Sequence, residues 1–134
     1  IDVNLKGALY FDDAVMAQMA KQNTGVIIHL GSITGQEGCS SNIAYSASKS
    51  ALMNGMTKSV ALAGAKYNVR CVCVAPGPVL TRPGMAGMKT LMGRAAEPQE
   101  IVDFIMYVAS DKGAFMTGTS YLIDGGRDIM RNKQ

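Results

Sequence analysis

The sequence has no tryptophan and one histidine, and Phe, Trp and Tyr together make up only 6% of its 134 residues. Proteins that bind nucleic acids usually present a clustered basic face with aromatic side chains that stack on the bases. Here the 13 basic residues are scattered, and the formal net charge is only +3. We therefore expect no nucleic-acid partner.

Long hydrophobic runs and paired cysteines are also lacking. No apolar stretch reaches the roughly 20 residues that span a bilayer, and the first residues do not have the pattern of a secretory signal. The three cysteines, Cys39, Cys71 and Cys73, have no disulfide-framework spacing, which is typical of a reducing compartment. Cys71 and Cys73 share one face of a predicted strand, and we interpret them as buried structural thiols. We expect a cytoplasmic protein with no membrane contact and no bound metal.

What is present is the material of a folded α/β domain. Hydrophobic residues make up 48% of the chain and charged residues 17%, which is enough apolar material to bury a core. In chain order we expect a helix over 4–22, a strand over 26–30, a helix over 43–65, a strand over 69–75, a helix over about 98–110 and a strand over 120–123, with irregular segments over 31–41 and 82–96. Strands and helices that alternate with short connections indicate parallel strands joined by crossover helices.

Three parallel strands make a poor sheet on their own, because parallel sheets are covered on both faces and need their edges paired. The first residues, Ile-Asp-Val-Asn-Leu, also have the pattern of the interior of a helix rather than its beginning. The sequence therefore predicts part of a doubly wound, Rossmann-type parallel sheet whose N-terminal half is absent from this chain.

Tyr45 and Lys49 form a Tyr-x-x-x-Lys pattern near the start of the second predicted helix. This spacing places both side chains on one helical face, about one turn apart. A free tyrosine ionises near pH ~10, and a neighbouring ammonium stabilises the phenolate, which makes tyrosine usable as a general acid or base. The same spacing is common on helix surfaces, so the pair does not define a site by itself.

Two further features follow predicted strands, at the carboxyl ends where open α/β proteins bind ligands. Ser32 follows the first strand, where it could donate a hydrogen bond to a substrate oxygen or be an ordinary turn serine. The segment Pro76-Gly77-Pro78-Val79-Leu80-Thr81 follows the second strand. Its glycine lets the backbone come close to a ligand and its prolines stiffen it, although a plain turn has the same composition.

Taken together, these residues resemble the short-chain dehydrogenase/reductase family. Its members have Asn, Ser, Tyr and Lys in this order, and Asn4, Ser32, Tyr45 and Lys49 have the family's spacing. The surrounding sequences Asp-Val-Asn-Leu-Lys-Gly, Gly-Ser-Ile-Thr-Gly and Ala-Tyr-Ser-Ala-Ser-Lys also fit, as does Asp-Gly-Gly near the C-terminus. The resemblance implies that residues 1–134 are the catalytic, C-terminal part of a single Rossmann-type dehydrogenase domain.

The family resemblance implies an NAD(P)-dependent oxidoreductase that interconverts a secondary alcohol and a carbonyl, with hydride supplied by the nicotinamide. Tyr45 would be the general acid/base, and Ser32 would orient the substrate oxygen. Lys49 would bind the nicotinamide ribose, and the backbone carbonyl of Asn4 would hold a water on the proton path. The residues implied in binding NAD or NADP are Tyr45, Lys49, Pro76, Gly77, Val79 and Thr81.

Parts of the family pattern have no counterpart in this chain. The Gly-rich phosphate-binding turn, and the residue that selects NAD or NADP, lie upstream of Asn4 in the family. His29 stands where relatives often have asparagine, and we interpret it as a strand histidine with satisfied hydrogen bonds. Residues 127–134 extend beyond the Asp-Gly-Gly sequence, and we expect them to form a solvated tail.

The substrate and the partners can be described only by class. The segment 82–94 should cover the substrate, and its apolar side chains indicate a largely apolar alcohol or carbonyl compound. These side chains are Met85, Met88, Leu91 and Met92. Family members pair through the helices that match 4–22 and 43–65, so we expect a homo-oligomer, either a dimer or a tetramer. The alternative is a truncated, non-catalytic family member that serves as an oligomerisation or interaction module.

Overall fold

A single parallel sheet of three strands forms the centre of the computed structural model, which describes residues 5–133. The strands are β1 (Gly25–Leu30), β2 (Val69–Pro76) and β3 (Ser120–Ile123), and β2 lies between the other two. The register pairs Gly25 of β1 with Val69 and Cys73 of β2 with Ser120. All three predicted strands are therefore confirmed, and each begins and ends within one residue of its expected bounds.

Within residues 5–133, five α-helices accompany the sheet: α1 (Gly7–Gln22), α2 (Thr34–Glu37), α3 (Ile43–Ala51), α4 (Thr57–Gly64) and α5 (Pro98–Ala109). Helix α2 lies in a segment that we expected to be irregular. The single helix expected over 43–65 is interrupted by a π-helical turn at Leu52–Met56. None of the helices within residues 5–133 is long and apolar enough to cross a membrane.

Thr57 produces the π-helical turn. Its backbone N–H bonds to the carbonyl of Leu52, five residues earlier, and its hydroxyl donates to the same carbonyl oxygen at 2.7 Å. A hydroxyl that bonds the preceding turn competes with the regular helical pattern. Thr57 is completely buried, so water does not compete for these bonds, and the irregular turn is held by the core.

Strand β2 is the centre of the core because it is paired on both sides. Cys71, Val72, Cys73, Val74 and Ala75 are all 0% exposed. Cys71 packs with helices α1 and α4, whereas the adjacent Arg70 donates to the carbonyl of Val108 at the end of α5, at 2.8 Å. Successive side chains of a strand point to opposite faces. Helices therefore cover both faces of the sheet, as a doubly wound fold requires.

The structure confirms that Cys71 and Cys73 are buried thiols. Both belong to the central strand, and neither forms a disulfide. Burial, and secondarily the charge of Asp12, raises the pKa of Cys71 to about 12. A thiol with so high a pKa is not a nucleophile at neutral pH, so Cys71 contributes packing rather than chemistry.

Helix α5 begins with a charged contact that predicts a pH effect. The N–H of Glu97 donates to Oε1 of Glu100 at 3.0 Å, and the guanidinium of Arg94 binds the same carboxylate at 2.6 and 3.0 Å. The Arg94 hydrogen bond, followed by the Glu97 N–H, lowers the pKa of Glu100 from 4.5 to about 2. The ionised carboxylate therefore stabilises the folded state above pH 4.5, and this stabilisation is lost as the pH falls toward about 2.

Glu100→Gln should destabilise the protein at pH 7 and less so in acid. The amide still accepts the Glu97 N–H but loses the charge that binds Arg94. Urea unfolding of both proteins between pH 7 and pH 3 measures the effect, and the difference in unfolding free energy should shrink below about pH 4.5. Asp111→Asn, an exposed acid beyond α5, is the control. A difference that stays constant with pH would contradict the role of the carboxylate.

Candidate active site

Tyr45 and Lys49 lie on one face of helix α3, as their spacing predicts. The side chain of Asn42 accepts a hydrogen bond from the N–H of Tyr45 at 3.0 Å and so caps the helix. The ammonium of Lys49 donates to the carbonyl of Leu30 at 2.7 Å, and it lies 5.7 Å from the centre of the Tyr45 ring. Lys49 thereby ties helix α3, and the tyrosine it carries, to the carboxyl end of β1.

Ser32 lies two residues beyond β1 at the same end of the sheet. Its Oγ accepts a hydrogen bond from the N–H of Thr34 at 3.2 Å and lies 2.9 Å from the Thr34 hydroxyl. The hydroxyl of Ser46, next to Tyr45, donates to the carbonyl of Thr34 at 2.7 Å. The bonds from Ser32 to Thr34 and from Thr34 to Ser46 fix the serine relative to helix α3, although Ser32 does not bond to Tyr45 directly.

The Pro-Gly segment lies beside Ser32. The N–H of Ile33 donates to the carbonyl of Pro76 at 2.9 Å, which joins the ends of β1 and β2. A Cβ added to Gly77 would lie only 2.7 Å from the Cα of Asp124. The sequence interpretation assigned the glycine to close approach of a ligand. In the structure a glycine is also needed here because a side chain would collide with the backbone that follows β3.

Val79 presents an open backbone donor near these strand ends. Val79 forms a parallel bridge with Ala96, in which the N–H of Leu80 donates to the carbonyl of Ala96 at 2.9 Å and the N–H of Ala96 donates to Pro78. In such a bridge the central residue directs its own N–H and C=O away from the partner. The carbonyl of Val79 accepts from the N–H of Thr81 at 2.7 Å. No acceptor for the Val79 N–H occurs among residues 5–133, so this donor can serve a ligand.

The structure says less about the other residues that the sequence singled out. Asn4 lies outside the described residues. In the segment 82–94, which we expected to cover the substrate and call the covering segment, Leu91 and Met92 are 60% and 67% exposed, and Pro83–Gly87 forms a short 3-10 turn. These apolar side chains are therefore available to a ligand or partner but are not packed into a closed pocket.

The side chains of Asp12, His29 and Thr57 form a buried polar cluster near the site. Of these three, only His29 was singled out from the sequence. Nε2 of His29 is 2.6 Å from Oδ2 of Asp12, and Nδ1 is 2.9 Å from the hydroxyl of Thr57. The single hydroxyl proton of Thr57 goes to Leu52, so Nδ1 of His29 must be the donor in its bond to Thr57. Nε2 then faces the Asp12 carboxyl group across the 2.6 Å contact. The hydrogen bonds of His29 are satisfied, as expected. Asp12 could have been noticed in the sequence as an acidic residue among the apolar positions of the first predicted helix.

The C-terminal residues do not form a solvated tail. Oδ1 of Asp124 accepts from the N–H of Gly126 at 3.0 Å and Oδ2 accepts from the N–H of Asp128 at 2.8 Å. These bonds turn the chain toward helix α2, where Arg127 binds Glu37 at 3.1 Å and Lys133 binds the same carboxylate at 2.9 Å. The expectation failed because polar composition does not reveal a charged partner far away in the sequence.

Comparison with known proteins identifies similar sequences over nearly the whole chain. Residues 1–128 match the family described as enoyl-(acyl carrier protein) reductase. The trans-4-hydroxycyclohexanecarboxylate dehydrogenase of Sinomonas cyclohexanicum is 39% identical over 137 residues, which cover 98% of this chain and 52% of the relative. The 7alpha-hydroxysteroid dehydrogenase of Bacteroides fragilis is 33% identical, with 95% of this chain and 52% of the relative covered.

A solved structure of a 4-hydroxyisoleucine dehydrogenase mutant, complexed with NADH and succinate, has a TM-score of 0.88 and 29% identity. The match covers 98% of this chain and 58% of that one, and it confirms the predicted Rossmann-type α/β fold. The chain spans about half the length of the curated relatives it matches. Sequence and fold agree over almost every residue, and the chain belongs to the short-chain dehydrogenase/reductase family.

Proposed function

We propose that the intact protein is an NAD(P)-dependent oxidoreductase that interconverts a secondary alcohol and a carbonyl. The observation that carries this proposal is the position of Lys49, which is bonded to the end of β1 and lies beside the ring of Tyr45. This arrangement puts a positive charge and a phenol together at the carboxyl ends of the strands, where α/β proteins bind ligands. Helix α3 and strand β1 hold both groups before any substrate arrives.

Tyr45 is the acid/base of the proposed reaction. In the reducing direction its hydroxyl gives a proton to the carbonyl oxygen, and in the oxidising direction its phenolate takes the proton from the alcohol. The Ser32 hydroxyl, held beside Thr34, donates to the same substrate oxygen and fixes its position. Asn4 is proposed to hold a water through its backbone carbonyl and thereby extend the proton path. NAD or NADP, when bound, supplies or accepts the hydride.

The residues present fit the nicotinamide end of such a cofactor. An ammonium has three donors, and Lys49 uses one on Leu30, which leaves others for ribose hydroxyls. The open N–H of Val79 and the exposed side chain of Thr81 are proposed to bind the carboxamide. Pro76 and Gly77 hold the backbone that presents them. The chemistry of these donors does not discriminate NAD from NADP.

We propose a largely apolar substrate that enters beside the segment 82–94, whose exposed Leu91 and Met92 provide apolar surface. The names of two relatives support a ring-borne secondary alcohol, since they describe a hydroxycyclohexane carboxylate and a hydroxysteroid. Methionine-rich surfaces adapt to several shapes, so the proposal concerns the substrate class. A cytoplasmic location is proposed with it, as the free cysteines are consistent with a reducing compartment.

Replacing Lys49 by Arg tests the proposed function in the intact protein. The planar guanidinium cannot replace a compact ammonium that must serve Leu30, the ribose and Tyr45 together. We expect kcat/KM to fall by about 100-fold and the dissociation constant of NADH or NADPH to rise by about tenfold. Stopped-flow rates and cofactor fluorescence measure the two effects. Lys58→Arg, on the exposed side of α4, is the control, and full activity of the Lys49 variant would exclude the proposed role.

The alternative, a non-catalytic interaction module, is favoured by one surface. A groove between α1 and the α3–α4 helix is lined mainly by small and apolar residues, and Leu9 on its rim is 46% exposed. Small residues allow a second helix pair to approach closely, so we also propose self-association through this face. The same cofactor titration separates the two functions. A protein that self-associates but binds neither NADH nor NADPH would favour the module.

A further inference from the structure

The C-terminal segment, residues 127–133, is attached to helix α2 by a shared carboxylate. Oε1 of Glu37 accepts from Nε of Arg127 at 3.1 Å, and Oε2 accepts from the ammonium of Lys133 at 2.9 Å. The Glu37 and Arg127 side chains are only 13% and 11% exposed. Ion pairs withdrawn from water in this way hold geometry better than pairs on an open surface. Glu37 therefore fixes two points of the segment.

Arg127 also contacts the covering segment. Its Nη1 donates to the carbonyl of Lys89 at 2.9 Å, while its Nε is bound to Glu37. Helix α2 follows strand β1 and begins two residues after Ser32, whereas Lys89 belongs to the chain that follows strand β2. One guanidinium thus connects two loops, one after β1 and one after β2, at the carboxyl ends of the strands, where the site lies. A guanidinium presents several donors in a fixed plane, which is what a bridge between two acceptors requires.

The glycines that precede Arg127 pack against the same covering segment. A Cβ on Gly126 would lie 2.6 Å from Cδ1 of Leu91, and the N–H of Met92 donates to the carbonyl of Gly125 at 3.3 Å. These contacts do not depend on the ion pairs. They show that the chain beyond β3 lies against the covering segment before Arg127 reaches across to α2.

We infer that the C-terminal segment is a strap that sets the distance between the Ser32 loop and the segment covering the substrate. Arg127 and Lys133 act through Glu37 and are positioning residues. The inference rests on the proposed function for the identity of the site, but the strap itself is a property of the chain. Without the strap, the covering segment should move away from Ser32. Substrate binding should weaken, while the cofactor residues on α3 and after β2 keep their contacts.

Arg127→Gln in the intact protein tests the strap, with Arg131→Gln as a matched control. Both changes remove one positive charge from the same segment, but the side chain of Arg131 is exposed. We expect backbone hydrogen exchange in residues 33–39 and 86–92 to accelerate about fivefold in the Arg127 variant, roughly the effect of losing a charge-assisted hydrogen bond. The control should exchange like the wild type. Equal exchange in both variants would overturn the inference.

A kinetic comparison separates positioning from a general structural role. In the Arg127 variant, KM for the substrate should rise about fivefold, while kcat and the dissociation constant of the cofactor change by less than about twofold. Arg127→Lys should rescue only in part, because a point charge can bind Glu37 but cannot bridge to Lys89. A variant with unchanged KM, or one with kcat, KM and cofactor affinity all impaired alike, would contradict a strap.

A substitution of Glu37 provides a third test of the strap. Glu37→Gln should also accelerate exchange in residues 33–39. The effect of the double variant should be smaller than the sum of the two single effects, because both substitutions remove the bond between Arg127 and Glu37. Additive effects would overturn the inference. If the protein shows no oxidoreductase activity at all, the proposed function fails, but the exchange measurements still decide whether the strap exists.

Discussion

Tyr45→Phe should lower kcat by about 1000-fold in the intact protein, the range of a general acid/base lost from its position. The substitution removes one oxygen and keeps the ring, so the contact with the Lys49 ammonium persists. The cap of helix α3 also persists, because Asn42 bonds the backbone N–H rather than the phenol. The dissociation constant for NADH or NADPH should consequently stay within about twofold.

Single-turnover rates with saturating cofactor, together with a fluorescence titration, measure the two quantities separately. Tyr107→Phe is the matched control, since this tyrosine is 48% exposed on helix α5, on the opposite face of the sheet from α3. A Tyr45 variant that retains substantial turnover would remove tyrosine from the mechanism. A variant that loses cofactor affinity as well would show that the phenol has a binding role.

His29→Leu should destabilise the intact protein by about 3–5 kcal/mol, the usual effect of removing one member of a buried charged pair. The side chains of His29 and Asp12 are only 4% and 8% exposed. Without the imidazole, the buried carboxyl group of Asp12 loses its hydrogen-bond partner. Thr57 is affected less, because its hydroxyl still donates to Leu52.

The double variant Asp12→Leu with His29→Leu should recover much of this loss, because well-packed apolar residues often replace a buried ion pair without penalty. Asp13→Asn, an exposed neighbour on α1, is the control. Urea unfolding at pH 7 gives the four free energies. A single His29 variant as stable as the wild type would mean that Asp12 is not constrained by the imidazole.

The parts of the structure that sequence could predict are those determined locally. The bounds of β1, β2 and β3 follow from short apolar runs that glycine, proline or asparagine limits, and Tyr45 meets Lys49 because helical geometry alone brings such a pair together. The π-helical turn at Leu52–Met56 was not predictable. It depends on a threonine hydroxyl whose preference changes only when it is buried.

Contacts between distant segments account for the rest. Asp12 and His29 are 17 residues apart, and they meet only because α1 packs on β1. Glu37 and Arg127 are 90 residues apart, and no local pattern links them. Residues 127–133 have the composition of a solvated tail. Their order comes from the carboxylate on α2, which sequence composition does not connect to them.

The central position of β2 has a consequence for synthesis on the ribosome. The register pairs Cys73 of β2 with Ser120 of β3, so about 47 residues must be added before β2 gains its second neighbour. At about 5–20 residues per second this takes several seconds. Throughout that time the most deeply buried of the described strands has an unpaired side. It is therefore the segment from which we expect misassembly of nascent chains to begin, and the natural place for a chaperone to bind.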